Sequence, residues 1–244
     1  MLSRFFVCLI VSFSIVPLIG QSTSINLKVF LEGPYNSTTG RMDTKLHDLG
    51  YLPGMQPKTF FAKAVSSEDP YNPPTLKSSN TLDVSLYSQR SVDWIQVSIL
   101  DDGGKAAWVG TLLLESDGQV ITNHIKNLTL DETKLYRVYV THRNHMPARS
   151  PLLSVENNEI SFDFTRADTV GLKDMDGTVV MRGGALRSLA TDGYIIEKAD
   201  IDKWEDFNGQ NSSYLLADID MDGDVSVHDK SIILSNLDAS ITLE

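Results

Sequence analysis

The residues of this chain that are best suited to chemistry form one acidic segment near the C-terminus, from Asp218 to Asp229. Aspartates occupy its positions 1, 3, 5 and 12, and Gly223 stands at position 6. Calcium takes about six to eight oxygen ligands, and a loop of about twelve residues supplies them from positions 1, 3, 5, 7, 9 and 12. A glycine at position 6 allows the sharp turn, which requires a positive φ. The segment therefore predicts a calcium-binding loop.

The predicted metal ligands are the residues that offer oxygen atoms at those positions: Asp218, Asp220, Asp222, Asp224, Ser226 and Asp229. Position 7 contributes its backbone carbonyl, so Asp224 is expected to bind through that group. Ser226 binds directly or through a water molecule, and Asp229 closes the site with its carboxylate. Carboxylates this close together repel one another unless a cation lies among them. The alternative interpretation is a solvated acidic turn that precedes a helix.

A helix is predicted directly after the loop, over residues 227–237. Ser226 and Asp229 have the Ser-x-x-acid spacing of a capping box, which satisfies backbone donors at a helix N-terminus. Val225, at position 8 of the loop, is expected to pack inward. The residues that follow form an apolar stripe that would face a core: Ile232, Ile233, Leu234 and Leu237.

An incomplete copy of this pattern precedes the loop. The segment 192–204 parallels the segment 222–233, and Asp200 takes the closing position. With the glycines of the two segments aligned, positions 1 and 3 of the first copy are held by Ser188 and Ala190, which carry no carboxylate. We therefore expect a structural remnant followed by a short helix over residues 199–204. The same alignment pairs Tyr194 with Asp224 and Ile195 with Val225.

Two such copies, each followed by a short apolar helix, resemble the type I dockerin repeat over residues 182–237. The resemblance implies a small helical, calcium-dependent module that binds a cohesin-like or other cell-surface protein partner. The upstream segments 30–35, 92–94 and 142–145 are similar to secreted bacterial proteins described as adhesin-like or hemagglutinin-like. That similarity implies a secreted setting and little about mechanism.

The charge distribution agrees with a local cation site. The chain has a formal net charge of −11, and its last 45 residues contain eleven acidic residues against two lysines. An acidic protein is poorly suited to bind nucleic acid or an anionic membrane surface. We therefore expect neither as a partner.

The N-terminus predicts secretion. A positively charged start is followed by an apolar run over residues 5–19 and by Gly20, which is the layout of a signal peptide spanning residues 1–20. A membrane anchor is the alternative, but the run is shorter than the ~20 residues that a spanning helix needs. The single cysteine, Cys8, lies inside the signal, so we expect no disulfide and no thiolate site in the mature chain.

The elements that must position the acidic loop are mainly strands. Short alternating runs lie at residues 25–31, 81–87, 92–100, 106–114, 119–121, 135–140 and 160–164, separated by turn signals. This spacing is typical of a β-sandwich or barrel. We predict a β-sandwich-like domain over residues 21–165, a connector over 166–184, and an EF-hand-like or dockerin-like helical module over 185–244. A proline-rich loop at 35–80, with a short helix near 43–49, interrupts the strands.

Other candidate sites have simpler structural explanations. His142 and His145 could ligate a metal, but they follow a predicted strand and more simply form a hydrogen-bonded turn. Glu32 and Asp93 could serve as the carboxylate pair of a polysaccharide-active enzyme. Trp94 and Trp108 could stack on sugars in a carbohydrate-binding or adhesive domain, although strand tryptophans more often lie in a core. With no nucleophile or phosphate-binding motif in the sequence, we predict a protein that is not an enzyme.

Overall fold

The computed structural model describes most of the chain, namely residues 22–58, 62, 64–71, 82–125, 128–166, 170–187, 194–211 and 213–242. The predicted signal peptide lies outside the described residues, as does residue 212. No helix in these described ranges is long and apolar enough to cross a membrane.

The chain forms fourteen described strands and three described helices. The strands are β1 (Ser24–Lys28), β2 (Tyr35–Asn36), β3 (Arg41–Met42), β4 (Ser91–Asp101), β5 (Ala106–Glu115), β6 (Val120–Ile121), β7 (Leu135–His142), β8 (His145–Arg149), β9 (Leu153–Ser154), β10 (Glu159–Asp163), β11 (Leu172–Met175), β12 (Thr178–Met181), β13 (Tyr194–Ile195) and β14 (Ser240–Ile241). The helices are α1 (Lys45–Leu49), α2 (Lys198–Glu205) and α3 (Val227–Ser235).

Six strands build one antiparallel sheet in the order β6-β5-β4-β7-β8, with β9 paired to β7. Its centre is the long β4–β5 pair, whose strands alternate between the two faces because successive side chains of a strand point to opposite sides. Val97 and Ile99 of β4 are fully buried, whereas Ser98 between them is half-buried. The strands predicted at 92–100, 106–114 and 135–140 are confirmed.

A second layer packs against this sheet. The parallel pair β1–β10 shares the main core with the sheet, through side chains such as Leu27, Ile160 and Val138. The fold is therefore mainly β, with a six-stranded antiparallel sheet in a sandwich-like arrangement and two short helices near the C-terminus. This confirms the predicted fold class.

The predicted connector contains a hairpin that belongs to the main core. Strands β11 and β12 pair antiparallel, and Leu172, Val180 and Met181 are buried in that core. The backbone of Met181 also donates a hydrogen bond to the Phe30 carbonyl at 2.8 Å. The domain boundaries themselves stay a prediction.

The segment predicted as a strand at residues 81–87 is different in the structure. Val84–Leu86 forms a single 3₁₀ turn, and the Asp83 carboxylate caps it by accepting a hydrogen bond from the Ser85 backbone N–H at 3.0 Å. Local side chain–backbone bonding of this kind competes with strand pairing. The short helix predicted near 43–49 is confirmed by α1.

The C-terminal part has a second core of its own. Trp204 of α2 and Ile233 of α3 are buried in it, together with Val225 at position 8 of the acidic loop. Lys230 of α3 places its ammonium 4.8 Å from the Trp204 ring centroid. The two helices predicted from the sequence are confirmed, and they pack against each other.

Each of the two cores contains a side chain from the other part of the chain. Met221, at position 4 of the acidic loop, is 2% exposed and packs in the main core. Met146 of β8 is fully buried in the second core, among residues of the C-terminal part. Because each core contains a methionine from the other part, the acidic loop is packed against the β-rich part.

Candidate functional site

The acidic loop brings three of its predicted ligands together. One carboxylate oxygen from each of Asp218, Asp220 and Asp222 lies within 4.8 Å of the others. Asp218 is buried, Asp220 is half-buried and Asp222 is exposed, so the cluster runs from the interior to the surface. In the described part of the chain this is the one cluster of three or more potential metal ligands.

Hydrogen bonds from the backbone fold the loop around these carboxylates. Asp218 accepts from the backbone N–H groups of Asp222 and Gly223, each at 3.1 Å. Asp222 in turn accepts from the N–H of Asp224 at 2.9 Å. Gly223 has a φ of 95°, the left-handed conformation that glycine adopts without strain and that position 6 was predicted to need.

Asp229 joins the start of the loop to the start of α3. Its Oδ1 accepts from the backbone N–H groups of Ile219 and Asp220 at 2.6 and 3.1 Å, and its Oδ2 accepts from Ser226 at 2.8 Å. Ser226 caps the helix by accepting from the His228 N–H at 3.1 Å. The predicted capping box is confirmed. Whether Asp224, Ser226 and Asp229 also ligate a cation stays a prediction.

The electrostatics of the loop favour a bound cation. Burial raises the pKa of Asp218 to about 8, and neighbouring carboxylates add to this against the opposing charge of Arg143. Burial also raises the pKa of Asp220 to about 7, with Asp229 and Asp222 as further causes. The negative charges on Asp218 and Asp220 are therefore unfavourable until a positive charge compensates them.

The donor set fits a hard divalent cation. Asp218, Asp220 and Asp222 offer carboxylate oxygens that converge on one small volume, and each oxygen keeps a lone pair beyond its hydrogen bond to the backbone. Oxygen-only donors are the ligands that calcium prefers, whereas zinc and copper sites use histidine or cysteine. These three residues would hold such an ion.

The β-rich part supports the loop from the turn between β7 and β8. The Asn144 side chain is fully buried and donates to the backbone carbonyls of Leu216 and Asp218 at 3.0 and 2.7 Å. Arg143 donates to the carbonyl of Leu215. The polar run at 142–145 is therefore the hydrogen-bonded turn that the sequence predicted, and it holds the chain that enters the acidic loop.

A buried ion pair anchors this turn. Arg143 donates from Nε to Asp93 at 3.0 Å, and its guanidinium lies 4.3 Å from the Tyr214 ring centroid. The Tyr214 hydroxyl donates to Asp93 at 2.6 Å. Burial alone would raise the pKa of Asp93, but Arg143 and the hydrogen bonds from His142 and Tyr214 lower it to about 2. The carboxylate therefore stays ionised and holds the turn in place.

The two histidines of the turn serve the same network. His142 Nε2 lies 3.1 Å from Asp93, and His142 Nδ1 lies 3.0 Å from His145 Nδ1. Burial lowers the pKa of both imidazoles, which keeps them neutral and suited to hydrogen bonding. Their surroundings are those of a structural pair rather than a metal site.

The other candidate residues, the carboxylate pair and the two tryptophans, also make structural contacts in the interior. Glu32 accepts from Lys173, from the Gly183 N–H and from the Asn236 amide, so it and Asp93 are both engaged in structural hydrogen bonds. Trp94 is 1% exposed, which excludes the predicted stacking of this ring on a sugar. Trp108 is half-buried and packs on the main core. The glycan hypothesis itself stays a prediction.

The incomplete first copy is described only in part. Residues 188–193, which include the predicted Ser188 and Ala190 positions, lie outside the described residues. The alignment of Ile195 with Val225 is wrong, because Ile195 is 45% exposed and Ile196 is the fully buried residue before the helix cap. Counted back from Asp200 at position 12, position 6 falls on Tyr194, so aligning Gly193 with Gly223 shifted the register of the segment 194–200 by one residue.

Several residues that shape the site were missed in the sequence. A Cβ at Gly33 would lie 1.8 Å from the Ile219 carbonyl oxygen, so the β-rich part touches the loop backbone there. A Cβ at Gly223 would lie 2.9 Å from the Tyr51 ring. Asn144 makes the third contact, with the backbone that enters the loop. Asn144 could be noticed in the sequence because it belongs to the polar run 142–145, whereas no local sequence pattern indicates the contacts of Gly33 or Tyr51.

Comparison with known proteins gives a likeness of overall structure alone. No protein-family model and no curated protein matches the chain. One solved structure, a C-terminal interface mutant of a type II cohesin–X-dockerin complex from Acetivibrio cellulolyticus, is 12% identical with a TM-score of 0.42, over 89% of this chain and 96% of that chain. An N-terminal interface mutant of the same kind of complex is 16% identical with a TM-score of 0.38, over 59% and 80%. Scores this low carry no functional inference.

We predict that Gly33→Ala weakens the packing of the loop against the β-rich part. The added methyl would meet the Ile219 carbonyl, and overpacking of this kind lowers the free energy of unfolding by about 1–3 kcal/mol. Gly103→Ala is the matched control, because its Cβ would meet only the Asp101 carboxylate at 3.4 Å. Chemical unfolding measures both. Equal free energies of unfolding for the two variants would contradict the contact.

We also predict that cation binding releases protons. Because the pKa values of Asp218 and Asp220 are raised to about 8 and about 7, protons compete with the ion for these carboxylates near neutral pH. Calcium affinity should fall as the pH is lowered from 8 to 6. For each proton that the ion displaces, the fall is up to about tenfold per pH unit. Calorimetry in buffers of different ionisation enthalpy measures the release. An affinity that is the same at both pH values would contradict this electrostatic account.

Proposed function

We propose that this protein binds one calcium ion in the loop Asp218–Asp229 and that it acts without catalysing a reaction. The observation that carries the proposal is the convergence of three aspartate carboxylates, one of them buried, in a loop whose turn depends on Gly223. A buried carboxylate with a raised pKa is unstable as an anion on its own, and a divalent cation among the three reverses that preference.

We further propose that the remaining ligands come from the second half of the loop. These are the Asp224 carbonyl, the Ser226 hydroxyl or a water it holds, and the Asp229 carboxylate, as the twelve-residue pattern implies. With the three clustered carboxylates they make six ligands, which is the lower end of the about six to eight oxygens that calcium prefers. The hydrogen bonds of Asp229 place this carboxylate at the junction of the loop and α3, which supports its role as the closing ligand.

In this proposal, calcium has a structural role. It orders a loop that contacts Gly33, Tyr51 and Asn144 of the β-rich part on one side and begins α3 on the other. The ion would therefore fix α3 relative to the β-rich part. Secretion, which the N-terminal sequence predicts, would place the loop where calcium is plentiful, so that even weak binding keeps it loaded.

The exposed side of α3 suggests what the ordered module is for. Val227 is 72% exposed and Leu234 is 50% exposed. They are seven residues apart and so lie on the same side of the helix, two turns from each other. We propose that this stripe contacts a protein partner of the cohesin type that the dockerin resemblance implies.

Calcium calorimetry on the purified protein tests the binding proposal. The wild type should bind one ion, and Asp218→Asn with Asp222→Asn should lower the affinity by at least about 100-fold, because two of the three clustered charges are lost. Asp202→Asn with Asp206→Asn is the matched control, since these aspartates are exposed near α2, and it should bind as the wild type does. No binding at millimolar calcium, or equal affinity in the loop variant, would refute the proposal.

A cohesin domain is the probe for the partner. We expect binding that requires calcium and that Val227→Ser with Leu234→Ser abolishes, while the variant, which adds no charge near the loop, still binds calcium. Leu152→Ser, at an exposed apolar residue in the segment between β8 and β9, should leave cohesin binding unchanged. Failure of the calcium-loaded wild type to bind, or binding by the α3 variant, would exclude this surface.

A further inference from the structure

Helix α2 begins in the same way as α3. Asp200 is 1% exposed, and its Oδ2 accepts from the Glu197 N–H at 2.9 Å in a capping box. Its Oδ1 accepts from the Leu186 N–H at 2.9 Å. Asp229 makes the corresponding two bonds, to its own N-cap residue and to position 2 of the acidic loop. The first copy therefore keeps the closing aspartate and the backbone contacts that fix it.

These contacts set the register of the first copy from both ends. With Asp200 at the closing position 12, Glu197 takes position 9 and Ile195 takes position 7. Counted from the other end, Leu186 takes position 2, so Ala185 and Arg187 take positions 1 and 3. An arginine thus stands where the second copy has the ligand Asp220.

The Arg187 guanidinium lies among the oxygens of the corresponding ligand positions. It donates to the Glu197 carboxylate at 2.7 Å and to the Ile195 carbonyl at 2.9 Å. It also donates from two of its nitrogens to the two oxygens of Asp200, at 3.3 and 3.2 Å. Its partners are therefore the groups at positions 7, 9 and 12, the last three ligand positions of a calcium loop.

We propose that Arg187 is the resident cation of the first loop and takes the place that calcium takes in the second. The guanidinium provides positive charge and several donors in one rigid plane, so it can satisfy a bidentate carboxylate and further oxygens together. Asp200 needs this partner because it is 1% exposed, whereas Arg187 is 39% exposed and reaches it from the surface. The first copy, with α2, is consequently folded at any calcium concentration, and of the two copies only the second, with α3, depends on calcium.

The comparison with calcium rests on the proposed function, but the role of Arg187 is testable without it. In EDTA, Arg187→Met should lower the unfolding midpoint by about 5 °C, since it leaves a buried carboxylate without its cation. Arg166→Met is the matched control, because Arg166 is 85% exposed and its ion pair among the described residues is with Asp163 at the surface. Its midpoint should equal that of the wild type. If Arg187→Met also unfolds at the wild-type midpoint, the proposal is overturned.

Arg187→Asp separates a cation site from an ordinary ion pair. It restores a carboxylate at position 3, so this variant should bind one calcium ion more than the wild type and should recover its lost stability as calcium is added. A folded Arg187→Asp that binds no additional ion would overturn the proposal, because an ordinary ion pair would lose stability without gaining a site. A wild type that binds no calcium would count against the proposed function instead, and the EDTA comparison would still decide the role of Arg187.

Discussion

The constraint on which this structure depends is the withdrawal of carboxylates from water. An ionised carboxylate is stable in a protein interior only when backbone donors and a positive charge replace its hydration. Asp93 has Arg143, and Asp200 has Arg187, as its positive partner. The acidic loop collects more negative charge than either of these sites, and Arg143 and His228 oppose that charge only in part. Protons or a bound cation from solution would neutralise the remainder.

The same constraint links the loop to the β-rich part. The turn between β7 and β8 is held by the Asp93–Arg143 pair, and from that turn Asn144 holds the backbone entering the loop. The Met221 side chain of the loop is buried in the main core. Ordering of the loop by an ion would therefore be transmitted to the β-rich part through these packed contacts. In this account, calcium stabilises the junction of the two parts as well as the helix that follows it.

The sequence predicted those features that depend on local order. The loop positions, the Ser226 cap and the turn at Gly223 follow from residue type and spacing within a dozen residues, and the long strands follow from alternation. The alternation of Leu82, Val84 and Leu86 predicted a strand that does not form, because the Asp83 side chain favours a local turn there. Contacts such as Gly33 with Ile219 join segments far apart in the chain, and no local pattern encodes them. The proposed role of Arg187 could not be predicted, because the first copy has more residues between Arg187 and Asp200 than the second copy has between Asp220 and Asp229, so the two copies do not align position by position.

Backbone hydrogen exchange with and without calcium tests the central claim most directly. The amides of Asp222, Gly223 and Asp224 donate to loop carboxylates, so their exchange reports the order of the proposed site itself. If the loop binds calcium, saturating calcium should slow these amides by about tenfold or more, while those in the centre of β4 stay unchanged. Exchange rates in the loop that are the same with and without calcium would contradict the account.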